Sequence, residues 1–283
     1  MPVDRLVVEE EVPTAVRITA SAGASPMGRV VTVRDVRQGV TDDGMIMTGV
    51  DRRHVPVVFE PVLTAAIHAV REHADQAALH VYGSVATGQA RTGESDVDLL
   101  SIGLEPGVAA TVSKQLSEQF AAVCRAVEIG PAERSHYVGQ TDEAYGNRVF
   151  LRHYCLYLAG GNPITVKSAY RADARAARGF NGDIGQHSER WRAALETVED
   201  TAAFGKRMAR KTLFAVAGLV SVHDATWTTD RQGAAQRWAA IDPSFANGLE
   251  QLFKWSENLD TPSASELSRA LDGIVADIVA ALP

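Results

Sequence analysis

Apolar positions along this chain change their period near residue 59. Before it, residues 15–20 and 29–36 alternate β-branched with polar side chains, the period-two signature of strands. Thr41-Asp-Asp-Gly44 is a turn signal, and residues 45–50 are expected to return as its hairpin partner. After it, Val62, Ala66, Ile67 and Val70 recur at helical spacing, with Pro61 in the first turn, where proline is tolerated. Residues 78–82 and 95–102 then read as two strands, 106–125 as an amphipathic helix and 126–129 as a short third strand. Beyond residue 141 almost every apolar pattern is helical. Phe150, Tyr154, Tyr157 and Leu158 predict one helix face, stopped by Gly160-Gly161; Trp191, Leu195 and Val198 mark a second. Phe204, Met208, Val216 and Leu219 mark a long third helix starting near Thr201. Thr261-Pro262 opens another through Leu267, Leu271, Ile274 and Ile278.

This order predicts an α+β fold in three parts: a β-rich extension over 1–58, a mixed sheet flanked by helices over 59–140, and a helical bundle over 141–283. The 283 residues are enough to bury real cores without cross-links. Cys124 and Cys155, both in apolar runs, read as small buried side chains in a reducing compartment. The N-terminal residues lack a signal-peptide pattern and no apolar run reaches a membrane span, so a cytoplasmic protein is expected. A formal charge of -7 disfavours wrapping of nucleic acid, which needs a broad basic face. The sign is uneven, however: residues 167–211 hold ten basic groups against six acidic. A two-part site, anionic ligand on one side and cationic on the other, has this pattern, and so does a solvated helix face.

Candidate chemistry sits at Tyr82-Gly83-Ser84 and Ser95-Asp96-Val97-Asp98. A strand running into Gly83-Ser84 allows close backbone approach, and the turn into a following helix offers N–H groups and the Ser84 hydroxyl to phosphate oxygens. On a strand, Asp96 and Asp98 share a face about 6–7 Å apart, hard oxygen donors suited to Mg²⁺. This combination resembles the nucleotidyltransferase superfamily that includes DNA polymerase β and the aminoglycoside nucleotidyltransferases. The family pattern is a strand ending in Gly-Ser, some ten residues, then Asp-apolar-Asp.

The resemblance implies a Mg²⁺-dependent transfer of a nucleoside monophosphate, with ATP as the default donor, to the hydroxyl of a small, cationic acceptor such as an aminoglycoside. Antibiotic resistance is the physiological purpose that goes with such an acceptor. Asp96, Asp98 and a third carboxylate would be catalytic and metal-binding. Glu128 is the best match for that third position, and Glu133 is its rival. Gly83, Ser84 and Ser95 would contact the nucleotide. Residues 148–161 are similar to the helix following the family's catalytic domain. Residues 227–239 are similar to a stretch of streptomycin/spectinomycin adenylyltransferases whose basic residue reaches the triphosphate, a position nearest Arg231. Lys206, Arg207, Arg210 and Lys211 share one predicted helix and compete for the same role, with Lys211 carried forward beside Arg231. Acidic residues near the C-terminus (Asp224, Asp230, Asp242, Glu250, Glu257 and Asp260) could attract a polycation. A protein or tRNA acceptor, and a non-catalytic nucleotide-binding protein, stay open as alternatives.

Overall fold

The computed structural model describes residues 39–282 apart from residue 162. The strands expected over 15–20 and 29–36 lie outside the described residues. The turn at Thr41–Gly44 forms, with Gly44 at φ 77° and its N–H bonded to the Thr41 carbonyl. The returning segment makes only isolated bridges, Val40 to Ile46 and Met45 to Arg171.

Helix α1 (Glu60–His73) leads into strand β1 (Ala78–Tyr82), the short helix α2 (Gly83–Thr87) and strand β2 (Val97–Ile102). Helix α3 (Pro106–Gln119) then returns the chain to β3 (Val127–Ala132). Buried Val62, Leu63, Ala66 and Val70 of α1 and Ala109, Val112 and Leu116 of α3 cover one sheet face, packing on Leu79, Val81, Val97, Leu99, Val127 and Ile129. The period-two alternation therefore puts the intervening residues, Tyr82, Asp98 and Glu128, on the opposite face.

Helix α4 (Asp142–Tyr154) packs on that second face, with Phe150 and Leu151 against Ala78, Tyr82, Leu100 and Ile102. Here the structure departs from the expected helix through Leu158. Helix α4 stops at Tyr154, Cys155 is extended, and Leu156–Ala159 forms strand β4, antiparallel to β1. The sheet order is β3-β2-β1-β4, with β2 and β3 parallel and the other pairs antiparallel. The free edge of β1 supplies the physical reason: a ladder of backbone hydrogen bonds there outweighs one more helical turn. Gly160, at φ 127°, sits so close to Ala77 and Ala78 that a Cβ would overlap them. The Gly-Gly signal is real, but it ends a strand.

The remaining helices are α5 (Ala174–Asn181), α6 (Ile184–Leu195), α7 (Thr201–His223), α8 (Arg231–Ile241), α9 (Ala246–Ser256), α10 (Ala264–Ala270) and α11 (Ala276–Ala281). Helix α7 is central, burying Met208, Leu213, Val216, Leu219 and Val220 against α8, α9 and the C-terminal helices. Asp200 caps its first turn through the Ala203 N–H, where Thr201 was expected to begin. Ser263 caps α10 in a reciprocal box with Glu266, one residue beyond Thr261-Pro262. Helix α4 meets α5 backbone to backbone: a Cβ on Gly146 would overlap Gly179, and Asp142 accepts from both Arg175 and Arg178 across the pair. The architecture is α+β, a mixed four-stranded sheet flanked by helices and followed by a helical region. Among the described residues no helix is long and apolar enough to cross a membrane.

The Gly146–Gly179 contact has no room to relax, because backbone lies on both sides. Gly146→Ala is expected to destabilise the protein by about 3 kcal/mol, read as a lowered urea midpoint. Gly107→Ala, with nothing within 4 Å of the new methyl, should stay within about 1 kcal/mol of the native chain.

Candidate active site

Strand register assembles the site. Asp98 is the Cα partner of Tyr82 on one side and of Glu128 on the other. Neighbouring strands lie about 4.8 Å apart, so two carboxylates stand side by side on one sheet face, next to a phenol. Asp98 and Tyr82 are half-buried, while Glu128 on the edge strand is exposed. Gly83 closes the cradle from β1. It adopts φ 71°, and a Cβ there would overlap the Asp98 carboxylate, so two constraints select glycine at one position. The Ser84 hydroxyl, in the turn, has no protein partner among the described residues. Ser95 is engaged instead: its hydroxyl accepts from the Arg91 N–H at 2.9 Å and its carbonyl from the Arg125 N–H, which ties the loop before β2.

Asp96 is one step short of β2, and Arg125 grips both its oxygens, Nε to Oδ1 at 2.9 Å and Nη2 to Oδ2. The three carboxylates named from the sequence are therefore not gathered as a ready triad. Among the described residues no group of three or more His, Cys, Asp or Glu side chains is poised to hold an ion. Like charges this close separate unless a cation lies between them, and Arg125 serves as the counter-cation for Asp96. Burial, then Glu128 and Asp96, push the Asp98 carboxyl up to about 6, with Arg125 and Arg210 pulling partly back. Asp98 and Glu128 are hard oxygen donors, the chemistry a divalent cation takes together with water and phosphate oxygens. Glu133, the rival third carboxylate, lies past the end of β3 and accepts from the Ser135 hydroxyl at 3.0 Å.

Opposite charge faces this cradle from the helical region. Arg210 of α7 is exposed, with no hydrogen bond or ion pair among the described residues, and acts electrostatically on both Asp98 and Arg231. Arg231, the first residue of α8, is 22% exposed and lies over the Phe214 ring at 5.3 Å. Its Nη2 is 3.6 Å from Glu257, and its buried Nη1 has no hydrogen-bond partner. Burial, then the neighbouring Arg210, pull its basicity down, against Glu257 and Asp230. The Arg231 Nη1 is thus a buried donor without an acceptor, while Glu257 lies beside the other nitrogen. Lys211 points elsewhere, paired with Asp183 at 2.7 Å. Of the four basic residues on this helix, Arg210 is thus the one brought to the carboxylates.

A line of aromatic rings joins the sheet face to the helices. Tyr82 meets Phe150 at 5.2 Å, Phe150 stacks on Tyr154 at 6.1 Å, and Tyr154 meets Phe180 at 5.3 Å. Phe180 contacts Trp227 at 5.8 Å, and the Trp227 indole donates to the Tyr154 hydroxyl at 2.6 Å. Neither this line nor the Arg125 clamp carries a sequence signal beyond residue type. The acidic residues offered as a lure for a polycation are all committed locally. Asp224 binds Arg237 and His223, Asp230 and Asp242 cap turns, Glu250 pairs with Lys254, Glu257 with Arg231, and Asp260 accepts from Gln251.

The raised Asp98 carboxyl makes a stability prediction with a definite sign. The folded state holds that proton more tightly than the unfolded chain, whose ordinary value is 3.8. Ionised Asp98 therefore weakens the fold above pH about 6, and the penalty fades as pH falls toward the ordinary carboxylate range. Asp98→Asn is expected to be more stable than the native chain near neutral pH by about 1–2 kcal/mol, allowing for solvent at a half-buried group. Urea denaturation across pH checks this, and the advantage should shrink on acidification.

No family model matches this chain, and no curated protein matches it. Among solved structures it is similar to a spectinomycin adenyltransferase from Enterococcus faecialis, crystallised with ATP and spectinomycin. The identity is 10%, the match covers 78% of this chain and 98% of the other, and the TM-score is 0.45.

Proposed function

We propose that this protein is a nucleotidyltransferase, moving AMP from ATP to a hydroxyl of a small cationic acceptor of the aminoglycoside class and releasing pyrophosphate. One observation carries the reading: Asp98 and Glu128 are strand partners on one sheet face, with Gly83 packed on Asp98, and Arg210 of the helical region acts on Asp98 and in turn neighbours Arg231. The Gly-Ser and Asp-Val-Asp sequence signature supports it independently. The acceptor class rests on the resemblance of residues 227–239, since the acidic groups near the C-terminus are otherwise engaged.

In the proposed reaction the acceptor hydroxyl oxygen attacks the α-phosphorus. A new O–P bond forms, the bond from the α-phosphorus to the bridging oxygen breaks, and pyrophosphate leaves with that electron pair. Glu128, exposed at the sheet edge, takes the acceptor's proton on a carboxylate oxygen. Arg210 and Arg231 hold the β- and γ-phosphates through charge-assisted donors, and the unfilled Arg231 Nη1 gains its acceptor there. Ser84 and the Gly83 turn orient the phosphates against the strand. Asp98 and Glu128, with Asp96 exchanging its Arg125 clamp for the ion, would hold Mg²⁺, which when bound would supply charge neutralisation for the triphosphate oxygens.

Pyrophosphate release from ATP and Mg²⁺ across a panel of aminoglycosides and aminocyclitols tests the reading. At least one acceptor should support release. Glu128→Gln should lower kcat by about 10²–10⁴-fold, and Arg231→Ala should raise the KM for ATP by about tenfold, one charged contact. ATP binding without release from any acceptor, or full activity in Glu128→Gln, overturns it.

A further inference from the structure

Arg231 has to be fixed in two frames, that of the helices and that of the sheet. Its side chain is held by Phe214 of α7 and by Glu257 at the end of α9, both within the helical region. Those contacts place the guanidinium among the helices and leave its position relative to Asp98 unset. Setting that position takes a contact that crosses from a sheet-bound element to the start of α8.

Tyr154 supplies such a contact. It is the last residue of α4, and two residues later the chain is locked into β4, where Leu156 pairs with Val81. Val81 precedes Tyr82, the strand partner of Asp98. The Tyr154 backbone is therefore placed by the same sheet that places Asp98. From there its hydroxyl accepts from the Trp227 indole at 2.6 Å, and the Thr229 side chain hydrogen-bonds it as well. Trp227 is buried, and both partners lie in residues 224–230, the irregular connection between α7 and α8, which turns through Ala225 at φ 50°. A short relay carries the anchor onward. The Thr228 N–H donates to Ser221 Oγ and the Asp230 N–H to Thr228 Oγ1, each at 3.1 Å, and Asp230 caps α8 through the Gln232 N–H. Arg231 is the first residue of that helix.

The pair is polar where an apolar pair would also fill the space. Replacing both partners of a buried hydrogen bond by apolar groups of like shape costs little, so stability alone does not call for a phenol facing an indole. A hydrogen bond adds what packing lacks, a set direction and distance between two elements. We propose that Tyr154 is a positioning residue of the nucleotide site, its hydroxyl setting the α7–α8 connection, and with it Arg231, at a fixed reach from Asp98. This rests on the nucleotidyltransferase reading above, in which Arg231 holds the outer phosphates.

Calorimetric titration of the full-length protein with α,β-methylene-ATP and Mg²⁺ tests this. Tyr154→Phe keeps the ring and removes the hydroxyl. It should weaken binding of the analogue by about five- to tenfold, the worth of one hydrogen bond. In an Arg231→Ala background the same change should have no further effect, because the group being positioned is gone. A merely structural role would add its loss in both backgrounds. Val112→Ala, a buried change in α3 on the opposite sheet face, controls for lost stability and should bind the analogue as the native chain does. Undiminished binding in Tyr154→Phe overturns the proposal. So does a loss that persists on top of Arg231→Ala, or the same loss in Val112→Ala. If the native chain itself binds no analogue, the nucleotide reading fails and the positioning role with it. Native binding that Tyr154→Phe leaves intact defeats the positioning role alone.

Discussion

Two carboxylates on adjacent strands repel each other, and the sheet register fixes the backbones of Asp98 and Glu128 side by side, so that only the exposed Glu128 side chain can swing away. Their backbones are locked by the β2–β3 ladder, and the ladder is locked by the packing of Val97, Leu99, Val127 and Ile129 beneath α1 and α3. A slip of one residue would turn all four apolar side chains toward the opposite face and the aspartate into the core. The burial that stabilises the sheet is therefore what keeps these two backbones adjacent. The nearby cations follow from it: Arg125 holds Asp96, and Arg210 acts on Asp98 from α7.

The same constraint explains why the helical region matters to the site. Arg210 and Arg231 sit on different helices, and Arg231 is kept in place by Phe214 and Glu257. The aromatic line that begins at Tyr82, the strand partner of Asp98, runs through α4 and α5 to Trp227, in the segment that joins α7 to α8. Close-packed rings, here stacked, tilted and edge to face in turn, transmit position well because they have few ways to rearrange. Strands supply the negative half of the arrangement and helices the positive half. A polyanion such as a triphosphate, carried with a divalent cation, satisfies both halves at once.

Much of this was legible in the amino-acid order, and the exceptions have physical causes. Gly83 and Asp98 stood out because a glycine turn followed by an aspartate in strand alternation is a local pattern, and Glu128 because its neighbours Val127 and Ile129 are apolar in strand alternation; Asp96, expected on the same strand face as Asp98, lies before β2 instead. Strand β4 did not stand out. Residues 150–158 have apolar side chains that satisfy a helical period equally well, and only the empty edge of β1, a tertiary fact, selects the strand. The choice of Arg210 over Lys211 was illegible for the same reason: adjacent residues on a helix point about 100° apart, and the sequence does not say which direction faces the sheet. The Arg125 clamp depends on where a loop ends, which carries no periodic signal at all.

The central claim is that the Asp98 face and the Arg231 guanidinium hold one ligand together, a nucleoside triphosphate with its divalent cation. Water-proton relaxation with Mn²⁺ and a non-hydrolysable ATP analogue measures this directly in the full-length protein. The account predicts a bound Mn²⁺–nucleotide complex whose affinity falls both in Asp98→Asn and in Arg231→Ala, although the two residues lie on different elements. Binding that is unchanged in either variant would contradict it.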